Sequence, residues 1–124
     1  MFAFWAALDL EGMLGIVDPG LEWRAAADGQ LYRGHEGVRE FFRRHSNGER
    51  LEVPLQRAVE VRPGCVLAVG RLRIQRPGRG LADSPGIWLF YVSDGKIGRI
   101  ESYRSEREAL DAAQAPDPVV SLRS

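Results

Sequence analysis

Val38, Phe41, Phe42 and His45 recur at the i, i+3, i+4, i+7 spacing of one helical face, so the run from His35 to His45 predicts an amphipathic helix. Glu40 stands ahead of Arg43 and Arg44 in the favourable acid-before-base order, and Asn47-Gly48 closes the element. Upstream, Phe2 to Leu8 is apolar on nearly every side and reads as a first helix, and Asp9 can cap a second stretch, Leu10 to Val17. Asp18-Pro19-Gly20 is expected to end that stretch, because Pro19 has no N–H to continue a helix. A short extended piece, Leu21 to Ala26, then turns at Asp28-Gly29 and returns as Gln30 to Arg33.

Beyond the central helix the period changes to two. Leu51 to Val61 alternates, Pro63-Gly64 turns the chain, and Cys65 to Gln75 follows with Val66, Ala68, Leu72 and Ile74 on one face and Arg71 and Arg73 on the other. Pro77 to Pro85 reads as a loop. Ile87 to Val92 is apolar on both sides, as a strand covered on both faces would be. Asp94-Gly95 turns again into a last strand, Lys96 to Arg104, and Ser105 with Glu108 forms a capping box for a helix from Glu106 to Ala113. The order predicts one α+β domain over residues 1–113, a curved antiparallel sheet wrapped around three to four helices, and a flexible tail over 114–124. A curved sheet closed by helices leaves a concave, largely apolar cavity suited to a small molecule.

At 124 residues, 44% hydrophobic and 27% charged, the chain has room for one globular core. Seventeen basic residues balance 17 acidic ones, so there is no net positive field to hold a nucleic acid or an acidic membrane. The single cysteine, Cys65, cannot form an internal disulfide and reads as a small core residue. No basic residue precedes the apolar start, and no run reaches the length of a membrane span, so a cytoplasmic chain is expected. His35 and His45 lie off one helical face with no acidic residue at ligand spacing, so no metal is expected, and no nucleotide or redox-cofactor fingerprint appears.

Asp9-Leu-Glu-Gly-Met-Leu, Asp18-Pro19 before Glu22-Trp23, Tyr32-Arg-Gly-His-Glu-Gly-Val-Arg-Glu-Phe-Phe42, Asp94-Gly-Lys-Ile97 and Tyr103 together resemble the SnoaL-like branch of the nuclear transport factor 2-like superfamily. The resemblance implies a cone around an apolar pocket, usually in a homodimer, and a first helix that begins somewhat earlier than here. It does not imply one chemistry, since the superfamily holds a ketosteroid isomerase, polyketide cyclases, hydrolases and domains that only bind. The isomerase's Asp base, oxyanion Tyr and protonated Asp are a standard case of tuned acidity. Aligned without gaps they fall at Ala25, Met1 and Ile87, and its supporting tyrosines at Val17 and Phe42, so none of the groups a steroid isomerase needs is expected in place.

For catalysis the candidates are His45, which could act as a base near neutral pH or sit against the helix dipole, and Arg57, a donor to a ligand if it points inward. A bulge near Pro54 would turn Arg57 outward. His35 is expected to make a local contact at the helix entrance. The ligand-contacting set is Trp5, Trp23, Phe42, Ile87, Leu89, Tyr91, Ile100 and Ser102, with polar contacts from a few of His45, Arg57, Tyr91 and Ser102. The isomerase alignment turns Ile100 and Ser102 inward, leaving Glu101 outside to pair with Arg71 or Arg73. The same alignment leaves Trp88, Phe90 and Val92 on the outer sheet face, where so apolar a patch predicts a homodimer contact. A small-molecule pocket protein follows, either an enzyme of cyclase, isomerase or hydrolase type or a non-catalytic binding domain, with no cofactor.

Overall fold

A computed structural model describes residues 10–26, 28–45 and 50–114. Trp5 with the helix expected over 2–8, and the tail beyond Gln114, lie outside the described residues. The elements run α1 (Leu10–Ile16), β1 (Val17–Arg24), β2 (Leu31–Arg33), α2 (Gly34–Arg44), β3 (Arg50–Glu52), β4 (Leu55–Arg62), β5 (Cys65–Arg76), β6 (Gly80–Ser93), β7 (Lys96–Tyr103) and α3 (Glu106–Gln114). The strands form one curled sheet in the order β2-β1-β7-β6-β5-β3, with β4 also on β5. It is mixed rather than purely antiparallel, because β1 runs parallel to β7 while the other pairs are antiparallel.

The turns follow their residues. Asp94 and Gly95 both take positive φ (52° and 75°), which the two-residue link from β6 to β7 requires. The helix stops at Ile16, just before Asp18-Pro19-Gly20, but that tripeptide sits inside β1 rather than in a turn; there the register with β7 slips between Val17 and Glu22 and Asp18 Oδ1 accepts a 2.7 Å bond from Gly20 N. A bulge is where a strand tolerates proline, since no ladder donor is needed there. Pro54 likewise splits the strand expected over 51–61 into β3 and β4. Its carbonyl accepts from Arg71 N at 3.1 Å, so the break remains stitched to β5.

The stretch expected as a loop over 77–85 is mostly strand: β6 starts at Gly80 and pairs with β5 down to Gly80 opposite Arg76. Its Gly, Asp, Ser and Pro residues carry no strand signal of their own, and the ladder comes from β5.

The sheet buries both faces. On the inner face Trp88, Phe90, Ile97, Ile100 and Ala68 join Met13 of α1 and Val38 and Phe41 of α2 in the main core. On the outer face Cys65, Leu67 and Leu89 pack under Ala109 and Ala113 of α3, with Ile87, Tyr91 and Tyr103 at the margin. The sides of β6 are therefore the reverse of the sequence expectation. Trp88 and Phe90 are 2% and 0% exposed in the single chain and face the helices, so they are not an outer dimer patch, whereas Ile87, Leu89 and Tyr91 lie outside beneath α3. In β7 an extra residue, Gly98, is accommodated where the register with β6 slips between Tyr91 and Val92. Ile97 and Ile100 can both point inward as a result.

Candidate functional site

The site is assembled by a chain reversal. β2 leads straight into α2 through Gly34, whose φ of 65° suits glycine and whose missing Cβ leaves room for Pro19 O. Strand β2 runs away from the β1–β2 loop and α2 runs back, so the C-terminal end of α2 returns to that loop. His45 thereby meets Asp28, with Nε2 3.2 Å from Asp28 Oδ2 across 17 residues of sequence.

Asp28 accepts from three sides. Its Oδ1 takes the Gln30 backbone N–H at 2.9 Å, and its Oδ2 takes the Tyr32 hydroxyl at 2.5 Å together with His45. Since a carboxylate only accepts, the His45 proton facing it sits on Nε2, and in the neutral ring Nδ1 is then the basic nitrogen. The imidazole is only 10% exposed and packs against the Phe41 ring, with centroids 4.5 Å apart and the planes tilted by 43°. Trp23 and Tyr32 close around Phe41, at 4.4 Å and 5.3 Å between ring centroids. Arg44 reaches the Tyr32 hydroxyl at 3.4 Å and pairs with Glu40.

These contacts set the acidities. Burial works to raise the Asp28 pKa, but the bonds from Tyr32, Gln30 and His45 and the imidazole's charge together outweigh it and hold the carboxyl below its ordinary value. Burial, then the Asp28 carboxylate, pushes the Tyr32 phenol up to about 12, so it stays a donor at neutral pH. A carboxylate that orients an imidazole, itself fixed by a neutral phenol, is the arrangement of a general acid–base pair.

The other expected residues separate into two groups. Trp23 and Ile100 are in the inner core, Phe42 is half-buried against it, and Ser102 stands opposite Trp88 on the same face. Arg57 does not enter the interior: it pairs with Glu106 at the start of α3, with its side chain half exposed. Glu101 faces outward but pairs with Arg99 at 3.1 Å, while Arg71 and Arg73 are both taken by Asp83. Instead of a local cap, His35 Nε2 donates to Val17 O at 2.9 Å, tying α2 to the start of β1.

Asp28 and Tyr32 were not among the sequence candidates. Asp28 looked like a turn residue, and the signal that could have found it is the reversal at Gly34, which folds α2 back along β2.

A groove of about 440 Å³ lies at the far end of α2, lined by Pro19, Gly20, Leu21, Glu22, Arg33 and Gly34. It is open and remote from His45, so chemistry rather than size points to the Asp28–His45 end. Among the described residues no three His, Cys, Asp or Glu side chains come together to hold a metal, and no helix is long and apolar enough to cross a membrane.

Residues 1–100 match the model of the SnoaL-like domain. No curated protein matches the chain. Among solved structures, a nuclear transport factor 2-like protein of unknown function from Burkholderia pseudomallei superposes with a TM-score of 0.70 at 16% identity, covering 92% of both chains. A Mycobacterium tuberculosis protein in complex with estradiol-17β-hemisuccinate gives 0.69 at 21% identity, covering 86% of this chain and 88% of that one. The Δ5-3-ketosteroid isomerase of a Mycobacterium species gives 0.68 at 20% identity over the same shares. At these identities the likeness is one of fold.

Proposed function

Because the chain belongs to the SnoaL-like domain family, we propose that it binds a small apolar or polycyclic molecule at the inner side of its sheet and that His45, oriented by Asp28, exchanges a proton with it. The observation that carries this reading is the Asp28 carboxylate held between the Tyr32 hydroxyl and His45 Nε2, beside the aromatic wall of Trp23 and Phe41. An imidazole so placed suits reactions that need one proton moved at a carbon next to a carbonyl, as in isomerisation or aldol-type ring closure. The steroid bound by the Mycobacterium tuberculosis neighbour supports a polycyclic ligand.

The test has two arms. Estradiol-17β-hemisuccinate is titrated against the protein by calorimetry, and exchange of the acidic C–H of a 1,3-diketone in deuterated buffer is followed by NMR. Binding with exchange that falls roughly a hundredfold or more in His45→Ala, the usual contribution of a general base, supports the reading. Neither binding nor exchange removes it.

A second reading, binding without catalysis, is favoured by the absence of any polar or charged residue from the buried set among the described residues. Binding that is unchanged in His45→Ala, with no exchange above buffer, decides for it. A cytoplasmic homodimer stays part of either reading, through a face other than that of Trp88 and Phe90. A monomer mass in sedimentation at micromolar concentration removes the dimer.

A further inference from the structure

Trp88 stands on β6 directly opposite Ala68 of β5 on one side and Ser102 of β7 on the other. Two residues back on the same face is Gly86, and the indole folds over it: a Cβ at Gly86 would run into Cη2, Cζ3 and Cζ2 of the ring. The residue opposite Gly86 on β5 is Gly70, again without a side chain. Four neighbouring positions on the inner face, Ala68, Gly70, Gly86 and Ser102, thus carry nothing larger than a hydroxymethyl group. Strand alternation puts all four on the indole's own side of the sheet.

Protein interiors are packed to the density of organic crystals, so a floor of such small residues leaves a volume that something must fill. Over Gly70 the backbone of Pro54 and Leu55 fills it, and over Gly86 the Trp88 indole does, with Trp88 2% exposed. Beneath the indole lies Gly86, with Ala68 and Ser102 flanking Trp88 on the neighbouring strands and no branched side chain rising among them, which suits a planar fused ring.

We propose that Trp88 sets the size of the molecule this domain accepts: its indole occupies the part of the inner face where the rings of a larger planar ligand would lie. The inference rests on the binding reading above and adds to it the residue that limits ligand size. It follows that removing the indole opens room for about two further fused rings, and that the opened space takes up a free planar aromatic of the same shape. An apolar cavity of that kind stays dry and binds such a molecule.

The experiment compares wild type, Trp88→Ala and Trp88→Phe by calorimetry with three probes: indole, 2-naphthol as a two-ring ligand and estradiol-17β-hemisuccinate as a four-ring ligand. In Trp88→Ala, indole binding absent from wild type is expected, together with a shift of roughly tenfold or more in relative affinity toward the four-ring probe. Trp88→Phe, which keeps one ring and most of the packing, is expected to show the same shift at smaller size and serves where Trp88→Ala does not fold.

Folded variants that do not take up indole, and whose preference between the two larger probes equals that of wild type, overturn the inference. Its failure is distinct from that of the binding reading. Wild type binding both larger probes with an unmoved ratio in the variants sinks only the role of Trp88. Wild type and variants binding neither larger probe sinks both, even where Trp88→Ala takes up indole.

Discussion

A single carboxylate, Asp28, does two jobs that its sequence position advertises only in part. Its Oδ1 closes the loop by accepting from Gln30 N, as an Asp in a turn does, while its Oδ2 reaches Tyr32 and His45. The second job makes stability depend on pH with a definite sign. The folded carboxyl is held below its ordinary value, so the charged form contributes stability above the unfolded pKa, near 3.9, and that contribution is lost as pH falls through the lowered folded value. Asp28→Asn should therefore cost about 1 kcal/mol in urea unfolding at pH 7, the scale of a partly exposed hydrogen bond to a charge. The gap between variant and wild type should narrow as pH falls below the unfolded value and close once pH has passed through the lowered folded value, where the wild-type carboxyl also becomes neutral. A gap that stays constant from pH 7 down to full protonation of the carboxyl would mean that the charge on Asp28 contributes nothing to the fold.

Elements show where reading the chain succeeds and where it stops. The central helix was legible because Val38, Phe41 and Phe42 repeat at helical spacing, and it carried His45 with them to the aromatic wall. The Asp94-Gly95 and Pro63-Gly64 turns were legible because positive φ selects glycine, as at Gly64 and Gly95. The facing of β6 was not. A strand apolar on both sides has no alternation from which to tell inside from outside, and only its neighbours decide. Trp88 goes inward where Ala68 and Gly86 make room for an indole, and Leu89 goes outward where α3 covers it. Asp28 as a site residue was hidden for a related reason, since its partner is 17 residues away and is reached only through the reversal at Gly34. The packing at Gly86 gives a test of this account. Gly86→Ala puts a methyl into the Trp88 ring, and overpacking of this kind costs roughly 1–3 kcal/mol. Urea unfolding should show that loss together with altered tryptophan emission, whereas an unchanged midpoint would mean that the indole does not lie on Gly86.

The whole molecule is a sheet with two covered faces, and all three of its tyrosines are partly or wholly drawn into them. Tyr103 on the outer face is pushed up to about 12 by burial, with the neighbouring Tyr91 and Glu101 adding to it, and Tyr91 is itself raised mainly by burial. With Tyr32 also near 12, the neutral phenols contribute stability that is complete below the unfolded value near 10 and is lost as pH rises toward about 12. Phenolate absorbance should accordingly stay low at pH 10 and rise together with loss of the folded signal above it. Ordinary titration of all three at pH 10 in folded protein would contradict the burial. The outer cover itself is α3, which lies beyond the residues matched by the SnoaL-like model, yet its Ala109 and Ala113 are 0% and 1% exposed against Cys65, Leu67 and Leu89. A chain ending at Arg104 keeps every strand and uncovers that face, so it should lose on the order of 3 kcal/mol of stability from apolar surface returned to water. Cys65, 1% exposed in the full chain, supplies the readout: its thiol should resist a disulfide reagent in the full-length protein and react readily in the shortened one under conditions where both are folded. Equal protection in the two would show that something other than α3 covers the outer face, and a face covered by a second copy of the chain would then make that protection depend on protein concentration.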